Sequence, residues 1–142
     1  MDNFKEPIEL DMTQAEKSAL IQVMRQMESG EIVYQPGDCN TSFYADAIIA
    51  DKAFNINAYG NEKDGKMLGC IGFWMGIDMG MTWEGARDYV GKQQQDTTKL
   101  HDLLWSNLDG NLKPDMVAKT IRSFLETGFV DWDIGYLTQD NH

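Results

Sequence analysis

GCIGFWMGIDMG, residues 69–80, sets glycine at positions 69, 72, 76 and 80 among Trp, Phe, Ile and Met. Its reading decides what kind of chain this is: a membrane span, a phosphate loop, a redox or metal site, or a helix approached closely by another element. The apolar run from Met67 to Trp83 covers 17 residues and contains Asp78. A spanning helix needs roughly 20 apolar residues, and a central aspartate costs about 3 kcal/mol. A phosphate cradle needs the order G-x-x-x-x-G-K-[ST] after a strand, which is absent here. Cys70 has no Cys or His at ligand spacing, since His101 and His142 are remote in sequence. As a helix, at about 100° per residue, Gly69, Gly72, Gly76 and Gly80 fall within roughly 80° of one another, with Ile71, Trp74 and Asp78 opposite. Each interior glycine costs about 1 kcal/mol relative to alanine, so the stripe requires a neighbour packed against backbone. Gly80 is placed to stop the helix in the left-handed conformation. Phe73 and Trp74 read as core, and Asp78 as a solvent-edge or capping residue.

Other helices follow from capping and periodicity. Thr13-Gln14-Ala15-Glu16 is a capping box, and Ala15, Ala19, Leu20, Val23, Met24 and Met27 form one stripe ending before Gly30. Ile32-Val33-Tyr34 predicts an extended connector or short strand closed by Pro36-Gly37. Thr41 or Ser42 then caps a second helix through Phe43, Ala47, Ile48, Ala50 and Phe54. Residues 55–66 read as a polar loop or hairpin. Thr82 caps a short helix over 83–90 stopped by Gly91. Thr97 or Thr98 opens another that carries Leu100, Leu103, Leu104 and Leu108. Pro114 starts a last helix, with Met116, Val117, Ile121, Phe124 and Leu125 inward and Gly128 as its stop. The expected fold is mainly α: a single compact domain of five or six helices over residues 13–132, with one short strand or hairpin near 31–35 and 55–66. An extended arm (1–12) and an acidic tail (133–142) flank it.

The 142 residues suffice for one core without disulfides. The cysteines, Cys39 and Cys70, form no C-x-x-C pair and no signal-type segment opens the chain, so a cytoplasmic protein with free thiols is expected, in the host cytoplasm if phage-encoded. The net charge of −11 is uneven. Residues 1–51 carry ten acids and three bases, 52–130 ten acids and nine bases, and 131–142 three acids and no base. Direct nucleic-acid binding needs clustered Lys and Arg, and anionic membranes repel such a chain, so neither is an expected partner.

The run Cys70-Ile71-Gly72-Phe73-Trp74 closing at Gly80, then Ala86-Arg87 with Gly91, then Thr127-Gly128-Phe129-Val130-Asp131-Trp132, resembles a loose group of short uncharacterised phage and bacterial proteins. These carry a C-I-x-G-x-x helix, an ARxxxG-like helix and a closing tG-x-V-D-W. The likeness covers residues 67–132, with glycine here where alanine is more usual. It implies a phage-like origin and a helical fold, and no catalytic residue carries over.

Chemistry is sparse. Asp131 with Asp133, and Glu62 with Asp64, are carboxylates spaced as solvated loop charges. His101-Asp102 lacks a nucleophile in an elbow context. Asn107, Asp109 and Asn111 alternate like a calcium loop, but Leu112 stands where glycine is needed and Ala118 where a bidentate glutamate is needed. A non-enzymatic protein without cofactor or metal is therefore expected, one that binds and occludes a protein partner. Its sharper form has Glu28, Glu31, Asp38, Asp46, Asp51, Asp131, Asp133 and Asp140 presenting nucleic-acid-like charge to a basic, nucleic-acid-binding host or anti-phage defence protein, which it inhibits. Acidity serving only solubility is the plain counter-reading. The alternative is a homo-oligomeric module that sequesters a small ligand such as a nucleotide, with Trp74, Trp83, Trp105 and Trp132 lining the site.

Overall fold

The computed structural model of the chain describes residues 3–35, 51–63, 65–134 and 136. The elements are α1 (Gln14–Glu28), β1 (Ile32–Tyr34), β2 (Lys52–Phe54), β3 (Tyr59–Lys63), β4 (Lys66–Gly69), α2 (Ile71–Asp78), α3 (Trp83–Gln94), α4 (Lys99–Trp105) and α5 (Pro114–Thr127). Among the described residues the five helices α1 to α5 pack with one four-stranded sheet, so the architecture is α+β, and the strands amount to more than the single hairpin expected.

The helix boundaries rest on the anticipated chemistry. Thr13 Oγ1 accepts from the Glu16 amide at 3.1 Å and Glu16 Oε1 accepts from the Thr13 amide at 2.9 Å, which closes the capping box. Thr82 and Thr98 cap α3 and α4 through the amides of Gly85 and His101. Gly30, Gly80 and Gly128 all take positive φ just past helix ends. Two expectations fail at ends. Helix α3 runs through Gly91 to Gln94, because nothing there demands a left-handed turn. Leu108 lies beyond α4 and is 47% exposed instead of completing its stripe.

The sheet has the order β1-β2-β4-β3, with β1, β2 and β4 parallel and β3 antiparallel at one edge. Lys52–Phe54 is thus a strand, where a helix through Phe54 was expected. Residues 41–50 of that expected helix lie outside the described residues. The three-residue strand is too short for its period to be read, and only pairing on both sides makes it a strand. The register sends Ile32, Phe54 and Met67 toward the helices, where they join the main core, while Ala53, Leu68 and Ala58 form a second small cluster.

Helix α2 packs against both α1 and α3, and α1 also packs on α5. The expected extended N-terminal arm contains a 3-10 turn, Pro7–Leu10, and contributes Leu10 and Met12 to the core.

Candidate partner-binding surface

The opening stretch is architecture. Gly69 belongs to β4 rather than to the helix, and Cys70 is the N-cap residue of α2. Glycine at 69 makes room for a ring: a Cβ there would meet Phe73 Cδ2 at 2.2 Å, and one at Gly60 would meet Phe73 Cε1 at 2.4 Å. Gly60, at φ +109°, sits in the bulge of β3, and its carbonyl accepts from both Trp83 Nε1 (2.7 Å) and Arg87 Nη1. Gly76 does face a close neighbour, Ala86, whereas a Cβ at Gly72 would meet Leu104 and Val90 only at ordinary contact distance. The side expected to lie opposite is closed as well, since Ile71 and Trp74 are fully buried. A helix apolar all round is a buried one.

Trp74 and Trp83 both meet the Phe73 ring edge-on, with centroids at 5.2 and 6.4 Å. Trp74 and Trp83 are buried, and each donates its indole N–H to a backbone carbonyl, Ala53 and Gly60 respectively. Trp105 and Trp132 pack on the core margin, partly exposed, and Trp132 Nε1 donates to Ser106 Oγ at 3.0 Å.

The expected acidic residues divide. Glu28 is engaged by Arg122 through Nε and Nη2 at 3.1 to 3.3 Å. It lines a groove of about 420 Å³ with Lys119, Arg122, Ser123, Glu126 and Ile134, where acids and bases are balanced. Glu31 pairs with Lys52 at 3.3 Å. Lys52 also reaches Gln26 Oε1, and Gln26 Nε2 donates to both oxygens of Asp78. Asp78 is half-buried beside a groove of about 270 Å³ floored by Ala15, Ser18 and Ala19, and burial pushes its carboxyl above the usual range. Asp51 is exposed at the start of β2. Asp131 and Asp133 are exposed, Asp131 Oδ1 accepting from the Asp133 amide. Asp38, Asp46 and Asp140, like Cys39 and His142, lie outside the described residues.

Asp131 and Asp133 follow the end of α5, where the N-terminal segment is also fastened. The Lys5 amide donates to the Leu125 carbonyl at 2.7 Å. Lys99, first residue of α4, donates through Nζ to the Glu9 carbonyl (2.9 Å) and through its amide to Asp11 Oδ2 (3.2 Å). Gly128 lies against that same Glu9 carbonyl and Lys99 Nζ, a Cβ there standing 3.9 Å from each. Next to these contacts are two large apolar side chains, Ile8 and Phe129, exposed at 86% and 72%. Sequence reading missed both as surface residues. The available signal was that Phe129 follows the Gly128 stop and so lies off the helical stripe.

The remaining polar groups serve structure. Asn107 and Asp109 make successive Asx turns, accepting from the amides of Asp109 and Asn111, and Tyr136 donates to Asp109 Oδ2 at 2.7 Å. The Asn111 amide first, and then the Tyr136 hydroxyl, hold the Asp109 carboxyl below its usual range. His101 Nδ1 lies 2.6 Å from the Gln93 carbonyl and acts there as donor. Cys70 is buried, which pushes its thiol up to about 11. Among the described residues no group of three His, Cys, Asp or Glu side chains is placed to hold a metal ion, and no helix is long and apolar enough to cross a membrane. Comparison with protein-family models, curated proteins and solved structures finds no match to this chain.

Proposed function

We propose that this chain is a small acidic accessory protein, phage-type by resemblance, that acts by binding and occluding a protein partner. The partner in this reading carries a basic surface of the kind that otherwise receives nucleic acid, and the outcome is its inhibition. The observation that supports it is the contrast between two sets of acids. Glu28 and Glu31 are matched by Arg122 and Lys52, whereas Asp131 and Asp133 stand exposed with no ion pair among the described residues. Unmatched, exposed carboxylates can substitute for phosphates and speed encounter with a cationic surface.

The test is capture of nucleic-acid-binding proteins from a bacterial lysate by the immobilised chain, with duplex DNA as competitor. The reading expects a discrete partner, displaced by DNA, released as salt rises, and weakened when Asp131 and Asp133 are both changed to Asn. Partner binding unaffected by DNA, salt and the double change would reject it. Trp74 and Trp83, buried and bonded to backbone, leave the ligand-sequestering alternative without a specific observation in its favour.

A further inference from the structure

Within the reading just given, on which this inference rests, we infer that the contact surface is the end of the molecule built around Ile8 and Phe129, and that its partner is a basic protein surface with an apolar socket. Three observations converge. The first is presentation. Phe129 is held outward by an ordered turn, not by a loose end: Gly128 takes φ +80°, the Phe129 amide donates to Thr127 Oγ1 at 3.1 Å, and Thr127 Oγ1 donates to the Ser123 carbonyl at 2.8 Å. Ile8 lies within a 3-10 turn that is pinned to α5 by Lys5 and to α4 by Lys99. Both side chains are therefore carried on hydrogen-bonded backbone, which lowers the ordering cost of binding.

The second is exposure. Among the described residues, whose other large apolar side chains are mostly in the core, a phenylalanine and an isoleucine this open stand out, and well-presented aromatic anchors are what concentrate binding energy at interfaces. The third is charge. Glu6, Glu9, Asp11, Asp131 and Asp133, each within four positions of one anchor or the other along the chain, are all exposed. Against these five acids the same contacts set two lysines, Lys5 at 4.0 Å from Glu9 and Lys99 on the Glu9 carbonyl, so acids outnumber bases. A second copy of this chain would bring the same negative rim against itself, so charge complementarity selects a cationic partner. An apolar centre with a charged rim is the ordinary anatomy of a protein interface.

The test uses the whole chain and a lysine–leucine amphipathic helical peptide as probe, with a lysine–serine peptide of equal charge as control, titrated calorimetrically and followed by amide NMR. The expected result is preferential binding of the lysine–leucine peptide, with shifts centred on Ile8, Gly128 and Phe129. Ile8→Ser and Phe129→Ser, at exposed sites and checked for an intact fold by circular dichroism, should each weaken it about tenfold. Asp131→Asn with Asp133→Asn should flatten its salt dependence. Equal binding of both peptides, unmoved by the Ser variants but lost in the Asn variant, would overturn the apolar surface while leaving the acidic reading standing. Binding of neither peptide, or concentration-dependent dimerisation abolished by Phe129→Ser, would also overturn it, the latter in favour of a second copy as occupant.

Discussion

Gly76 of α2 lies against Ala86 of α3 so closely that a Cβ on the glycine would stand 2.8 Å from the alanine Cβ and 2.9 Å from its Cα. The obstacle is partly backbone and cannot rotate away. At Gly72, four residues earlier on the same face, a Cβ would meet Leu104 and Val90 at 3.4 and 3.5 Å, which is ordinary contact. The two glycines therefore answer differently to one substitution. Gly76→Ala should destabilise by about 1–3 kcal/mol through overpacking, even after the gain in helix propensity. Gly72→Ala should be neutral or stabilising by up to about 1 kcal/mol. Urea unfolding of both variants reads the difference, and equal effects would mean that α2 and α3 are not in this register.

Phe73 rests on two strand glycines, and its ring leaves no room for a side chain at either Gly60 or Gly69. Gly69→Ala should cost more than about 2 kcal/mol, the scale of forcing a buried ring from its seat. Combining it with Phe73→Leu should recover part of that loss, and the double-mutant cycle measures the coupling.

Asp78 is held above its ordinary carboxylate range chiefly by burial, opposed by Gln26 and Lys52. The folded state therefore binds the Asp78 proton more tightly than the unfolded chain does. This residue's contribution is a penalty at neutral pH, and it is relieved as pH falls through the raised folded value toward the unfolded one. Asp78→Asn should raise Tm at pH 7, with the advantage shrinking as pH is lowered. A constant difference across the acid range would mean that the effect is packing, not ionisation.

Cys70 is 7% exposed and its thiol is pushed up to about 11 by burial, despite lying at the start of α2. Little thiolate exists at neutral pH, so Cys70 should react with a disulfide reagent far more slowly in the native chain than in denaturant. A native rate matching the denatured one would place the thiol at the surface.

Local chemistry was legible wherever a few neighbouring residues decide the conformation. The capping box at Thr13 and Glu16, Pro114 at the start of α5, and the stops at Gly30, Gly80 and Gly128 all stand where the sequence implied, because each depends on bonds within one helical turn. The sheet was not legible as a sheet. Strands β1 and β2, three residues each, carry too little period to separate strand from helix, and their parallel pairing joins residues twenty positions apart. Gly69 shows the same limit: it shares a face with Gly72 and Gly76 if the helix is extended back to it, and only the ladders to Phe54 and Tyr59 make it strand. At the candidate surface, the sequence itself determined the acidic ends of the chain. Which acids stay unmatched, and that Ile8 and Phe129 share one end, was decided only by folding, because Lys5, Glu9, Lys99 and Gly128 bring together segments about ninety residues or more apart.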